Sequence, residues 1–236
     1  MITKANSEME IVIDVWGDFA CFTRPESKIE RVSYPCINPS GARGILNAIY
    51  SKPIEFYYQI NRIEIMNPIK TINIKKNEFK EKTNNKLEPI YNINKKGNKG
   101  LTQRNNVYLK DVYYRIYATI IKQPTYSGTI KQLYEQFNRR VQKGKCFYNP
   151  SLGNRECFCY FSLPNEDKQP LDFDLDIGVM TYDIFDITKN IPLDTRVKNN
   201  DVYKPSFFYA QIKSGVLEVP NYNSKSVFKV KGNNYV

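Results

Sequence analysis

The chain has 236 residues, 41% apolar and 14% aromatic, enough for one large domain or two small ones with a buried core. Thirty-five basic residues against 24 acidic ones give a formal charge of +11, which points to a polyanionic partner unless the surplus serves only solubility. Histidine is absent, which excludes Ser-His-Asp triads, Cys-His dyads, histidine zinc ligands and imidazole acid/base pairs.

The first residues contain no signal-type apolar region, and no apolar run approaches the ~20 residues of a membrane span, so the sequence reads as a soluble cytoplasmic protein. Met9–Trp16 alternates with β-branched residues and reads as a strand. Asn38-Pro39-Ser40 opens a helix, capped by Asn38 or Ser40, with Ala42, Ile45, Leu46 and Ile49 on one face. Pro53 ends it near Lys52. Ile54–Met66 is a second strand and Ile69–Ile74 a third. Residues 75–106 lose periodicity. Lys70–Lys110 holds ten lysines and one arginine against three glutamates, net +8, so 75–106 reads as a mobile basic loop that tracks a phosphate backbone or is merely solvated. Val107–Ile121 is again a strand pattern, Thr129–Val141 an amphipathic helix ending at Gly144, and Cys157–Leu163 a further strand.

That order predicts an α+β fold, a ferredoxin-like (RRM-like) βαββαβ domain over residues 1–165. After Pro164 the charge reverses: residues 166–201 hold nine acids and four bases. Ile177–Ile187 reads as a strand, and Phe207–Ile212 with Val216–Val219 as a hairpin, so 166–236 is expected to form a small antiparallel β-rich C-terminal domain. The five cysteines (Cys21, Cys36, Cys146, Cys157 and Cys159) have no metal or redox spacing and read as buried thiols in a reducing compartment.

Two clusters carry candidate chemistry. In the first, Arg24, Lys28 and Arg31 sit in the loop after the first strand, and Ser40-Gly41-Ala42-Arg43-Gly44 at the helix start offers backbone N–H groups, glycines for close approach and Arg43 as a phosphate seat. The second, Arg139-Arg140 with Lys143 and Lys145 beside Phe147 and Tyr148, and Arg155 beyond, matches the charge-plus-stacking recipe for RNA. Cations offsetting a helix macrodipole would account for one or two of these bases, not all. Asp172, Asp174 and Asp176 share a strand face and read as an acidic docking or solubility surface rather than a Mg²⁺ site. No metal or other cofactor is expected.

The stretches Gly17–Glu26, Glu30–Pro35, Pro39–Tyr50 with Lys52-Pro53, Leu109–Tyr114, Arg139–Phe147 and Leu152–Cys157 resemble the CRISPR-associated Cas-five family in its type I-C (Dvulg) form. The resemblance implies a ferredoxin-like domain with a β-sheet extension that binds the repeat-derived 5′ handle of CRISPR RNA. It implies a place in the antiviral Cascade complex beside the backbone and large subunits, and a metal-independent endoribonuclease that cuts precursor CRISPR RNA through attack of the ribose 2′-OH. The family's catalytic tyrosine matches Tyr50. Its Lys-His pair falls on Gln132-Leu133, and a one-residue shift brings Lys131 into the role of charge stabiliser. Arg24, Lys28, Arg31, Arg43, Arg139, Arg140, Lys143, Lys145 and Arg155 are the expected RNA ligands. Two other readings remain: an architectural Cascade subunit with another nuclease doing the processing, and a basic loop directed at target DNA duplex.

Overall fold

Alternating apolar residues drive Glu8–Ala20 and Leu101–Lys122 into two long antiparallel strands, β1 and β4, at the centre of a sheet. This arrangement comes from a computed structural model that describes residues 8–27, 29–79, 101–189 and 203–229. The other elements are α1 (Pro39–Ile49), β2 (Phe56–Ile65), β3 (Lys70–Phe79), α2 (Ile130–Gln142), β5 (Tyr160–Ser162), β6 (Leu175–Phe185), β7 (Tyr203–Lys213), β8 (Val216–Glu218) and β9 (Val227–Lys229). The strands form one sheet in the order β5-β1-β4-β2-β8-β7-β6, with β3 on β4 and β9 on β7. Every strand pair is antiparallel. The class is α+β, mostly antiparallel sheet with two helices among the described residues.

The register sets the core. Ile11, Ile13 and Val15 lie opposite Ala118, Ile116 and Tyr114, which in turn face Ile60, Ile63 and Ile65, and all nine are buried. Against this layer α1 lays Ala42, Ile45, Leu46 and Ile49, and α2 lays Leu133, Phe137 and Val141. Each large side chain so buried contributes roughly 1.5–3 kcal/mol. Of the two candidate caps for α1, Asn38 holds the post: its carboxamide oxygen accepts from the Gly41 N–H at 3.1 Å, and Pro39 occupies the first turn. Thr129 caps α2 through a reciprocal box with Gln132. Cys21, Cys36, Cys157 and Cys159 are buried free thiols, and Cys146 is half-buried.

The loop expected over residues 75–106 is narrower than its sequence suggested. Residues 75–79 and 101–106 are strand, paired in register with Lys76 opposite Arg104 and Glu78 opposite Thr102; residues 80–100 lie outside the described residues. In this outer part of the arm of β3 and β4 no side chain along 75–78 or 102–105 is fully buried, so no apolar alternation marks it in the sequence. The expected closing hairpin is present, with Ser214 and Gly215 at φ +46° and +74°, the two left-handed positions of a tight hairpin turn. β8 joins it to the sheet through β2, with Arg62, Ile63 and Glu64 opposite Glu218, Leu217 and Val216. β9 had no pattern strong enough to be expected.

A buried ion pair ties the crossing segment after β5 to the sheet. Arg115 donates to Asp14 through Nε at 2.7 Å and through a terminal nitrogen at 3.1 Å, and Asp14 is fully buried. Asp14 also accepts from the Tyr113 hydroxyl (3.0 Å) and the Asn165 N–H (2.9 Å), while Arg115 donates to the Asn165 carbonyl (2.6 Å). Asp14→Ala leaves that buried guanidinium without its closest carboxylate, with the Asn165 carbonyl and the Glu64 carboxylate at 3.9 Å still beside it, so urea unfolding is expected to show a loss of about 3 kcal/mol. A change below 1 kcal/mol would contradict this account of the pair.

Candidate nucleic-acid interface

The C-terminal ends of the two helices meet. Arg140, in the last turn of α2, donates from Nε to the Ile49 carbonyl at 2.7 Å, placing a cation on the negative end of the α1 dipole. The same guanidinium lies 5.9 Å from the Tyr50 ring centre and 4.2 Å from that of Phe147. The Phe147 N–H donates to the Ala48 carbonyl at 2.7 Å, so the chain leaving α2 runs back along α1.

Tyr50 closes α1 as its C-cap. Its ring packs 5.3 Å from Phe56 and 6.3 Å from Phe147, and only 5% of the residue is accessible. Burial pushes its phenol up. Lys52 and Arg140 pull it down, and Tyr126 and Glu55 add to the rise. A protonated phenol can donate a hydrogen bond at neutral pH but is a poor base.

At the start of α2, Gln132 and Leu133 occupy the places that the resemblance gives to a Lys-His pair. Gln132 serves the capping box, its Oε1 accepting from the Thr129 N–H at 2.9 Å, and Leu133 is buried in the core. Lys131 is exposed, paired with Glu135 at 3.8 Å one turn on, an arrangement worth only a few tenths of a kcal/mol, roughly 0.3–0.5. No contact joins Lys131 to Tyr50.

Beside α1 runs an open groove of about 420 Å³, lined by Asn38, Ser40, Gly41, Gly44 and Ala48 on the helix side and by Tyr148, Pro150, Ser151, Gly153 and Asn154 opposite. Gly41 is needed for packing, since a Cβ there would come within 2.9 Å of the Asn38 oxygen and 3.3 Å of Phe22. Its N–H is already taken by Asn38, so the phosphate seat expected at the helix start has one donor fewer. Gly44 faces open space, with nothing within 4 Å of a Cβ. Gly153, at φ +86°, brings the opposite wall against the Cys21 backbone, where any Cβ would collide. Tyr148 and Phe147 are both more than half exposed at the groove's end.

The remaining cations divide between free and engaged. Arg139, Lys143, Lys145 and Arg155 are exposed, Arg139 bonding Gln136 within its helix. Arg31 reaches the groove, donating to Asn154 Oδ1 at 2.6 Å. Arg24 lies 5.0 Å over the Tyr34 ring and 3.7 Å from Glu26. Arg43 turns away: both its Nε (2.8 Å) and a terminal nitrogen (2.6 Å) bond the buried Asp183 of β6. Lys28 lies outside the described residues. Asp174 and Asp176 accept from Ser214, Gly178 and Tyr209, and no group of three or more metal-binding side chains occurs among the described residues. No helix among them is long and apolar enough to cross a membrane.

Sequence reasoning missed a polar network at the groove's far end. The Tyr108 hydroxyl donates to Glu156 at 2.9 Å and accepts from Lys76 (2.5 Å) and Asn154 (2.9 Å), and Lys76 is ion-paired with Glu156. These residues come from β3, β4 and the loop before β5, separations no local pattern reveals. For Glu156, burial raises the carboxyl, but the hydrogen bonds from Lys76, its own backbone and Tyr108 outweigh it and hold it at about 2, below the ordinary 4.5.

A family model described as "CRISPR-associated protein (Cas_Cas5)", of the Cas5d type, matches residues 10–220. The chain is 34% identical over 227 residues to the CRISPR pre-crRNA endoribonuclease Cas5d of Thermus thermophilus, covering 93% of this chain and 95% of that one. It is 36% identical over 234 residues to the protein of the same name from Mannheimia succiniciproducens, covering 92% and 97%. Among solved structures, a CRISPR-associated protein superposes with a TM-score of 0.65 at 19% identity, over 94% of this chain and 98% of that one. A functionally uncharacterized protein of Streptococcus mutans gives 0.61 at 19%, over 93% and 97%. Those two structures share the fold.

Two outcomes follow from the groove. Gly44→Ala is expected to raise stability by about 0.5–1 kcal/mol, the cost of glycine inside a helix. Gly44→Gln should keep the melting temperature at or above wild type while lowering RNA affinity at least tenfold on a binding isotherm; unchanged affinity would remove the groove from the interface. At low pH, Glu156 contributes its full stabilisation above about 4.5 and loses it as pH falls toward about 2. Glu156→Gln should therefore flatten acid unfolding in that window, and an unaltered acid transition would count against the network.

Proposed function

This chain belongs to the CRISPR-associated Cas5 family, and we propose that it binds the repeat-derived 5′ handle of CRISPR RNA and cuts precursor CRISPR RNA at the repeat without a metal. The observation that carries this reading is the meeting of the helix ends. Arg140 joins the α1 carbonyl end to the Tyr50 and Phe147 rings, at one end of a groove that Arg31 reaches through Asn154 at the other. Exposed Lys143 and Lys145 with Phe147 and Tyr148 supply charge and stacking surface for a single-stranded segment. Arg24, Lys28, Arg139 and Arg155 extend the phosphate contacts; Arg43 acts on the RNA only by anchoring α1 to β6. Tyr50 marks the cleavage locus, where its phenol donates to the phosphate rather than taking the 2′ proton.

In the same proposal the partners are CRISPR RNA and the backbone and large subunits of a Cascade complex, and the arm of β3 and β4 is the part nearest a target duplex. We read the unit β1-α1-β2-β4-α2-β5, with its strand order β5-β1-β4-β2 and the arm strand β3 set aside, as ferredoxin-like, which that order supports. Residues from about 166 form the C-terminal β unit, joined to the first through the three residue pairs of β8 with β2. A second reading, an inactive architectural subunit, is favoured by one feature: Gln132 caps a helix and Leu133 fills the core where the family places Lys and His.

The test incubates the purified chain with its repeat RNA in EDTA. Cleavage at a single site is expected, reduced at least tenfold in Tyr50→Phe with RNA binding retained. Intact RNA with tight binding selects the architectural reading, and absence of binding overturns both.

A further inference from the structure

A chain that cuts RNA without histidine needs another group to protonate the leaving oxygen. Lys131 is exposed and paired with Glu135 one turn on, with no contact to Tyr50 among the described residues. A second phenol is tied to the segment that follows Tyr50. Tyr126, in the turn before α2, has its ring centre 5.8 Å from the Nζ of Lys52, two residues after Tyr50. The turn that carries it is laced to the turn after α1: the Gln123 N–H donates to the Glu55 carbonyl at 2.8 Å, and the Thr125 hydroxyl bonds the Ile54 carbonyl. The Tyr126 N–H closes the turn on the Gln123 carbonyl at 3.1 Å.

Two ammonium groups flank the Tyr126 ring. Lys52 Nζ lies 5.8 Å from its centre and Lys122 Nζ 5.5 Å. Each is held in place, Lys52 by Glu55 at 2.8 Å and Lys122 by the Gly128 carbonyl at 2.7 Å. Gly128 lets the Tyr126 hydroxyl lie against the backbone, since a Cβ at that position would clash with it and push the ring aside. Tyr126 is half-exposed, and its hydroxyl makes no hydrogen bond among the described residues. Tyr50, by contrast, is almost wholly covered. The turn therefore holds a partly exposed phenol with two tethered cations within 6 Å of its ring, an arrangement suited to a phosphodiester whose negative charge grows during reaction.

We propose that Tyr126 is the general acid of RNA cleavage, with Lys52 and Lys122 offsetting the charge on the phosphorane. The inference rests on the proposed nuclease function. Solvent hydroxide removes the 2′ proton, the 2′ oxygen bonds to phosphorus, the bond from phosphorus to the 5′ oxygen breaks, and that oxygen takes the Tyr126 proton. The products are a 2′,3′-cyclic phosphate and a 5′-hydroxyl, and the tyrosinate recovers its proton from water.

The experiment measures single-turnover cleavage of repeat RNA by the full chain in EDTA, with a normal scissile linkage and with sulfur in place of the bridging 5′ oxygen. A thiolate leaves without protonation, so it does not need the acid. Tyr126→Phe is expected to slow the normal substrate about 100-fold, to leave RNA affinity unchanged, and to cut the sulfur substrate at the wild-type rate. Lys122→Met should slow both substrates, since both pass through the charged phosphorane. Equal slowing of both substrates by Tyr126→Phe would make Tyr126 a structural residue and overturn the assignment, as would a wild-type rate on the normal one. A wild-type chain that binds but never cuts defeats the nuclease reading itself, and this inference with it.

Discussion

One guanidinium organises the site. Arg140 sits where the carbonyl end of α1, the Tyr50 ring and the Phe147 ring converge. A helix C-terminus leaves carbonyls without partners, and a cation held there gains from both the hydrogen bond and the dipole. Because the donor comes from α2, satisfying α1 also fixes the angle at which the two helices meet. The loop that follows is then laid along α1 by the bond between Phe147 and Ala48, which forms the groove wall. The groove's shape is thus a consequence of terminating one helix with a residue from the other.

The start of α2 shows how helix termination and chemistry compete for the same positions. The third helical residue is where a capping box wants Gln or Glu, and the next, facing inward, is where the core wants an apolar side chain. Gln132 and Leu133 satisfy both demands. A Lys-His pair at those positions would give up the cap and bury a titratable ring in the apolar core where Leu133 now sits. In the proposed mechanism the polar groups come from positions outside the core, Lys52 and Tyr126 in turns and Lys122 at the end of β4.

Much of the fold was legible because it is written in short-range periodicity. Both helices, the order of the main strands and the turn at Ser214-Gly215 follow from spacing and turn chemistry. The arm formed by residues 70–79 and 101–110 was legible only in its inner part, since along 75–78 and 102–105 no side chain is buried to impose alternation. The site was read in part. The cations around the ends of the helices were evident from composition, but their partners were not: Arg43 meets Asp183 across 140 residues of sequence and Arg31 meets Asn154 across 123. The network of Lys76, Tyr108 and Glu156 joins three separate segments in the same way. Pairings of that kind are set by sheet register, which a single sequence does not state.

These pairings also decide how a net charge of +11 becomes a directed field. The buried Arg115 and the half-buried Arg43 are neutralised by Asp14 and Asp183 and serve the fold. Lys76, though partly exposed, is held by Glu156. Arg139, Lys143, Lys145 and Arg155 remain at the surface in the second half of the first unit, close in sequence to the exposed Phe147 and Tyr148. The acids that balance those two arginines, Asp14 on β1 and Asp183 on β6, are buried and do not offset the exposed cations. A polyanion therefore meets its uncompensated charge beside α1, where the stacking surfaces are, and binding strength there should track the phosphates neutralised by these exposed side chains rather than the formal charge of the whole chain.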